Sequence, residues 1–211
     1  MRLHLSRLHF PVTTLGPGRR VGIWLQGCSI RCPGCISADT WAAGLGETTV
    51  EAVLETLGPW LEEADGITIS GGEPFEQPCA LNALLRSLQA ARPGADVLVY
   101  SGRPWEKIST LVHAWDGLLD AVISDPFDAG AGQTLAWRGS DNQRMHLLTA
   151  RARERYDPWT KAPPAAMDLF FHGGEAWMAG IPAPGFLEAV QRELGRQGLS
   201  ARTSADPRVL A

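Results

Sequence analysis

The chain has 211 residues, 45% of them hydrophobic and 20% charged, with a net charge of −4. That balance suits one folded domain and excludes a disordered chain. No Lys/Arg block offers a surface to nucleic acid, no apolar run approaches the about 20 residues of a membrane helix, and the first ten residues lack a signal peptide's apolar stretch, so the expectation is a cytoplasmic protein with neither nucleic acid nor membrane as partner.

In chain order, Val21–Leu25 reads as a buried strand running into a cysteine-rich loop. Thr49–Leu61 has helical spacing of Val50, Val53, Leu54 and Leu57, with Thr48 or Thr49 as N-cap. Gly66–Ser70 is a β-branched strand ending in Gly71-Gly72, and Gln77–Ala91 is a helix stopped by Pro93-Gly94. Asp96–Tyr100 is an apolar strand, Trp105–Val112 a helix, and Leu119–Ser124 a further strand. Asp128–Ser140 is Gly-rich and reads as a loop, and Arg144–Arg155 as a strand passing into a helix. Pro158–Pro164 is a break. Met167–Phe171 and Ala176–Ala179, joined across His172-Gly-Gly-Glu175, form a predicted hairpin. Phe186–Gln197 is a last amphipathic helix with Leu187, Val190 and Leu194 on one face, followed by a frayed tail after Ser200.

Alternation of strand and helix predicts an α/β fold with a mostly parallel sheet. The βα units are too few for a complete eight-stranded barrel, so a partial, open β/α barrel with a C-terminal hairpin and helix is expected. Residues 1–150 form its core and residues 151–211 an extension packed on that core, within a single domain overall.

Three of the four cysteines fall within eight residues, Cys28-Ser-Ile-Arg-Cys32-Pro-Gly-Cys35. In a reducing cytosol, clustered thiols serve as metal or cluster ligands more often than as disulfides. Three thiolates on one tight loop can hold three irons of a [4Fe–4S] cluster and leave the fourth open to a ligand. Zinc would need a fourth ligand, and the nearest upstream histidine is His9. Purely structural cysteines are the third reading. Cys79 stands apart and is expected to be a small buried apolar side chain.

A second signal is Ser70-Gly-Gly-Glu73-Pro74, directly after a predicted strand. Glycines at a strand end let the backbone approach a ligand, and a carboxylate beyond them can accept hydrogen bonds from an ammonium. The alternative is an ordinary Gly-Gly turn. Ser101 and Asp125 end the next two strands, where ligands gather in parallel α/β folds; either can also simply make a turn.

Cys-x3-Cys-x2-Cys after a first strand, followed by Gly-Gly-Glu-Pro after the second, resembles the radical S-adenosylmethionine (SAM) enzymes. The resemblance implies the open barrel of that family, with a [4Fe–4S] cluster on Cys28, Cys32 and Cys35. It implies that the open iron chelates SAM and that reductive cleavage yields a 5′-deoxyadenosyl radical. By the same resemblance Gly71, Gly72, Glu73 and Pro74 bind the SAM amino group, Ser101 contacts its ribose or carboxylate, and Asp125 binds SAM or shapes the substrate cavity. Within the family the chain is most similar to the activating proteins of anaerobic ribonucleotide reductase. Gly22-Ile-Trp-Leu-Gln-Gly-Cys28, Cys-Pro-Gly-Cys at 32–35, Trp41, Asp120–Phe127 and Arg138-Gly-Ser-Asp-Asn-Gln-Arg144 carry that likeness over roughly residues 10–148. It implies a glycyl radical protein as substrate and flavodoxin or ferredoxin as electron donor. Arg138–Arg144 either orders a loop over the site or is a loop held by its own polar network.

The sequence also departs from the family pattern. Ser37 stands where many activases have Asn, Phe127 stands where some carry a Lys, and Arg103 is a candidate substitute for that cation. Two other readings stay open: a radical SAM enzyme modifying another peptide or a small molecule, as the short carboxy-deazaguanine synthases do, and a non-catalytic iron–sulfur or zinc module.

Overall fold

The computed structural model describes residues 1–157, 165–172, 175–200 and 203–206. The expected break at 158–164, the two glycines of the hairpin turn and most of the tail lie outside them. The elements are β1 (Arg2–Val12), β2 (Arg20–Leu25), β3 (Glu47–Thr49), α1 (Val50–Glu63), β4 (Gly66–Gly71), α2 (Pro78–Ala91), β5 (Asp96–Tyr100), α3 (Trp105–Ala114), β6 (Ala121–Ser124), β7 (Arg144–Leu147), α4 (Ala150–Tyr156), β8 (Ala166–His172), β9 (Glu175–Ile181) and α5 (Phe186–Arg196). Among the described residues, no helix is long and apolar enough to cross a membrane.

One seven-stranded sheet runs in the order β3-β1-β2-β4-β5-β6-β7, and β8 and β9 form a separate antiparallel hairpin. The sheet is open. Its four central strands, β2, β4, β5 and β6, are parallel, as strand–helix alternation requires. Both ends carry antiparallel additions, β1 and β3 on one side and β7 on the other.

Strand alternation sorts the side chains onto two faces. Val21, Ile23, Leu25, Ile67, Ile69, Val97, Val99 and Val122 join the large core under α1, α2 and α3. Those helices contribute Val50, Val53, Leu57 and Leu61, then Leu81, Leu84, Leu85 and Leu88, then Ile108 and Val112. Thr49 caps α1 as predicted, its hydroxyl accepting from the Ala52 N–H at 3.2 Å. Cys79 is exposed, contrary to expectation. It is the second residue of α2, whose buried face begins at Ala80.

The opposite face of the sheet carries Arg20, Trp24, Thr68, Asp96, Leu98, Tyr100, Ala121 and Ile123. At the amino ends of the strands Arg20 and Asp96 form a fully buried ion pair at 2.9 Å. Thr68 accepts from the Arg20 Nε, and the Tyr156 hydroxyl donates to Asp96. Toward the carboxyl ends this face opens into a cavity.

The C-terminal hairpin covers that face. Asp168 accepts hydrogen bonds from the N–H and hydroxyl groups of Thr13 and Thr14, just after β1. Trp177 stacks on His9 with ring centres 3.7 Å apart and meets Trp24 edge-on. The apolar face expected on α5 is only half covered: Leu187, Val190 and Leu194 are intermediate in exposure, and no residue of the helix is buried. The described part of the tail is not frayed. Ser204 donates its hydroxyl to the Ile36 carbonyl and accepts from the Asp39 N–H.

Candidate active site

The carboxyl ends of β2, β4 and β5 converge on one cavity of about 860 Å³. Parallel pairing aligns Leu25 with Gly71. Cys28, Cys32 and Cys35 therefore emerge beside Gly71-Gly72, and all five line the cavity with Ser37, Glu73 and Ser101.

Backbone geometry locks the two loops together. Gly72 donates to the Leu25 carbonyl and Glu73 to the Gly27 carbonyl, each at 2.8 Å. Gly71 sits at φ +101°, and a Cβ at Gly72 would lie 2.2 Å from the Gly27 carbonyl oxygen. Glycine is thus required by close backbone approach, more than by a turn. Gly27 and Cys28 in turn donate to the carbonyls of Thr40 and Trp41, which closes the cysteine loop on itself. Glu76 accepts from the Ser29 N–H and hydroxyl, and the Gln77 amide donates to the His4 and Gln26 carbonyls. Nothing in the sequence marks Glu76 or Gln77 as supports of this loop; their contacts span 47 to 73 residues.

The three thiols are half-buried. Burial pushes the Cys28 and Cys35 thiols up, so ligation of a metal there would expel protons. Among the described residues, no three His, Cys, Asp or Glu side chains are gathered as ligands of one metal ion. Thiols that each hold a different iron of a cubane stand further apart than thiols on a single zinc. The indole of Trp41 lies on the cavity wall beside Cys35, with its buried N–H turned toward that sulfur. Such a donor suits a sulfur-rich group in the cavity. Three half-buried thiols on one loop, with an indole N–H beside Cys35, are a donor set that fits an iron–sulfur cluster.

Glu73 behaves differently from a free carboxylate awaiting an ammonium. It is fully buried. One oxygen accepts from the Phe75 N–H and the Ser101 hydroxyl, the other from the Gly102 N–H. Burial raises its pKa against these bonds, which lower it. Glu73 thus ties the end of β4 to the end of β5, and Ser101 is a partner in that tie. Glu73→Gln would oppose an amide N–H to one of these donors. The expected cost is about 1–3 kcal/mol of stability, read in denaturant unfolding. Pro74 is buried and opens the short turn that follows.

Asp125 is not among the residues lining the cavity. It sits at φ +83° after β6, and Arg144 grips it through Nε and a terminal nitrogen at 2.7 and 2.8 Å. The Arg144 hydrogen bonds hold its carboxyl below the usual range. The same guanidinium reaches Glu106, so Arg144 joins α3 to the end of β6. Arg103 pairs loosely with Glu76 at 3.7 Å and does not line the cavity.

The 138–144 string is held by a polar network. Gln143 accepts from the Gly139 N–H and donates to the Asp125 carbonyl, Asn142 donates to the Pro126 carbonyl, and Asp141 accepts from Thr134 and Leu135. Gly139 and Gln143 also face the cavity, as does Phe127. Arg7 and Asp39, not singled out in the sequence, form an ion pair on the opposite wall. A more open depression of about 730 Å³ between α1 and α2 carries no comparable set of ligands.

A family model described as "4Fe-4S single cluster domain" matches residues 14–146. The anaerobic ribonucleoside-triphosphate reductase-activating protein of Escherichia coli K12 is 29% identical over 149 residues, 66% of this chain and 96% of that one. The protein of the same name from Pasteurella multocida is 30% identical over 144 residues, 64% of this chain and 90% of that one. That of Enterobacteria phage T4 is 29% identical over 134 residues, 62% of this chain and 85% of that one. Nearly the whole of each relative is thus accounted for by about two thirds of this chain.

Proposed function

This chain belongs to the 4Fe–4S single cluster domain family and, with its reductase-activating relatives, to the radical SAM activating enzymes, and on that premise we propose that it cleaves SAM reductively to install a glycyl radical on a partner enzyme. In this reading Cys28, Cys32 and Cys35 hold the [4Fe–4S] cluster. What the bound cluster supplies is a coordination position for SAM and the electron that breaks SAM into methionine and a 5′-deoxyadenosyl radical, which takes a hydrogen atom from a glycine of the partner.

The chain's own residues do the positioning. Gly71 and Gly72 bring bare backbone to the cavity wall beside the thiols, where a SAM amino group can be received. Ser37 offers a small polar contact on the far side of the cysteine loop. Glu73 holds the β4 end rigid, with Ser101 as its brace, and Pro74 fixes the turn beyond. Asp125 enters as a support of the β6 end through Arg144. The inner face of the sheet contributes Trp24 and Tyr100 to the apolar part of the lining. The sheet is read as an open β/α barrel of the radical SAM type, with residues 1–150 as its core and 151–211 as an extension. An anaerobic ribonucleotide reductase is the partner that the relatives' names support, with flavodoxin or ferredoxin as electron source.

The observation that carries this reading is the joint placement of three thiols and a Gly-Gly strand end on one cavity, hydrogen-bonded to each other through the backbone. Anaerobic reconstitution is expected to load about four irons per chain, and dithionite with SAM to yield 5′-deoxyadenosine and methionine. A loaded protein that forms no 5′-deoxyadenosine would refute the assignment.

A further inference from the structure

We propose that the C-terminal segment is the substrate-selecting wall of the cavity, and that it admits an uncharged, apolar stretch of polypeptide while turning away anionic substrates. This rests on the activating function proposed above and names what faces the radical.

The segment lies beyond the family match, which ends at residue 146. It is nonetheless tied to the core at three points around the cavity. Asp168 holds the hairpin to Thr13 and Thr14. The Gln133 amide donates to the Pro182 carbonyl at 3.1 Å, joining the end of β9 to the loop after β6. Ser204 bonds to Ile36 and Asp39 on the cysteine loop. The segment therefore closes the cavity opposite the sheet.

Its contribution to the lining is mostly apolar, with Trp177, Ile181, Pro182, Pro184, Phe186 and Leu187. Charge sharpens the selection. Among the described lining residues Arg7 is the one basic side chain, and Asp39 already pairs with it. Glu188 from the wall and Asp128 from the facing loop add negative charge. A substrate carboxylate or phosphate would find no free cation among the described lining residues and would meet like charge. A neutral peptide segment meets apolar surface without that penalty.

The test uses the reconstituted protein with SAM, titrated calorimetrically with two 12-residue peptides centred on glycine. One has Val, Leu, Ala and Thr flanks; in the other, four flanking residues are Asp or Glu. The neutral peptide is expected to bind at least about tenfold more tightly. Leu187→Lys, on the surface of α5, should bring the two affinities within about threefold, whereas Leu187→Met should keep the difference. Equal or tighter binding of the acidic peptide, no measurable binding of the neutral one, or an unchanged ratio in Leu187→Lys would overturn the proposal. Peptide-free 5′-deoxyadenosine formation, measured on the same wild-type protein, reports separately on the SAM assignment.

Discussion

Alanine at any one of positions 28, 32 or 35 is expected to abolish both iron loading and 5′-deoxyadenosine formation, and Cys79→Ala to leave both intact. Asp39 and Glu73, which share the cavity, are already held by Arg7 and by Ser101 with the Phe75 and Gly102 N–H groups, so they do not replace a lost thiolate. A cluster that needs three thiolates then either fails to assemble or is shed. Cys79 stands exposed at the start of α2, outside the residues that line the cavity. Iron content and the visible absorbance of anaerobically reconstituted variants check the first step, and product quantification the second. Retention of the cluster in Cys32→Ala, or its loss in Cys79→Ala, would mean that the ligand set is wrong.

Asp96→Ala is the second large effect, and it acts at the other end of the strands. Arg20 is fully buried, and Asp96 supplies the opposing charge to its guanidinium. Removing the carboxylate leaves an uncompensated charge in the interior, expected to cost about 3–5 kcal/mol in denaturant unfolding. Replacing both residues, as Arg20→Met with Asp96→Leu, should recover much of that loss, because neither charge is then buried alone. The pair also predicts acid sensitivity. Burial raises the Asp96 pKa, but the charge and hydrogen bonds of Arg20, with a hydrogen bond from Tyr156, outweigh it and hold the group below the usual carboxylate range. A lowered folded-state value means that the stabilisation is complete above the unfolded value of about 4 and is lost as pH falls through the folded one. Wild-type protein should therefore lose more stability than the double variant on acidification below about pH 4.

The parts of the fold that rest on local pattern were legible in the sequence. Apolar runs bounded by Gly and Pro located the four parallel strands, and helical spacing with a Thr cap located α1. β1 was not legible as a strand. Its apolar residues Leu3 and Leu5 alternate, but a register irregularity between Leu5 and Arg7 shifts the period to Leu8 and Phe10, so no single alternation runs through it. β3 is three residues long and too short to carry a pattern.

For the site, the cysteine spacing and the Gly-Gly strand end were legible because each is a contiguous string. The burial of Glu73 was not, since it depends on Ser101 and Gly102 folding back 28 and 29 residues later. The removal of Asp125 from the cavity depends likewise on Arg144, and the covering of the cavity depends on contacts spanning 155 and 168 residues. Composition and spacing carry no trace of such pairings.

The most direct measurement of the central claim is the electron paramagnetic resonance spectrum of the dithionite-reduced, reconstituted protein before and after addition of SAM. An iron open to the cavity between the cysteine loop and Gly71-Gly72 predicts a cluster signal that changes shape when SAM is added. A cluster signal that SAM leaves unaltered would contradict the account.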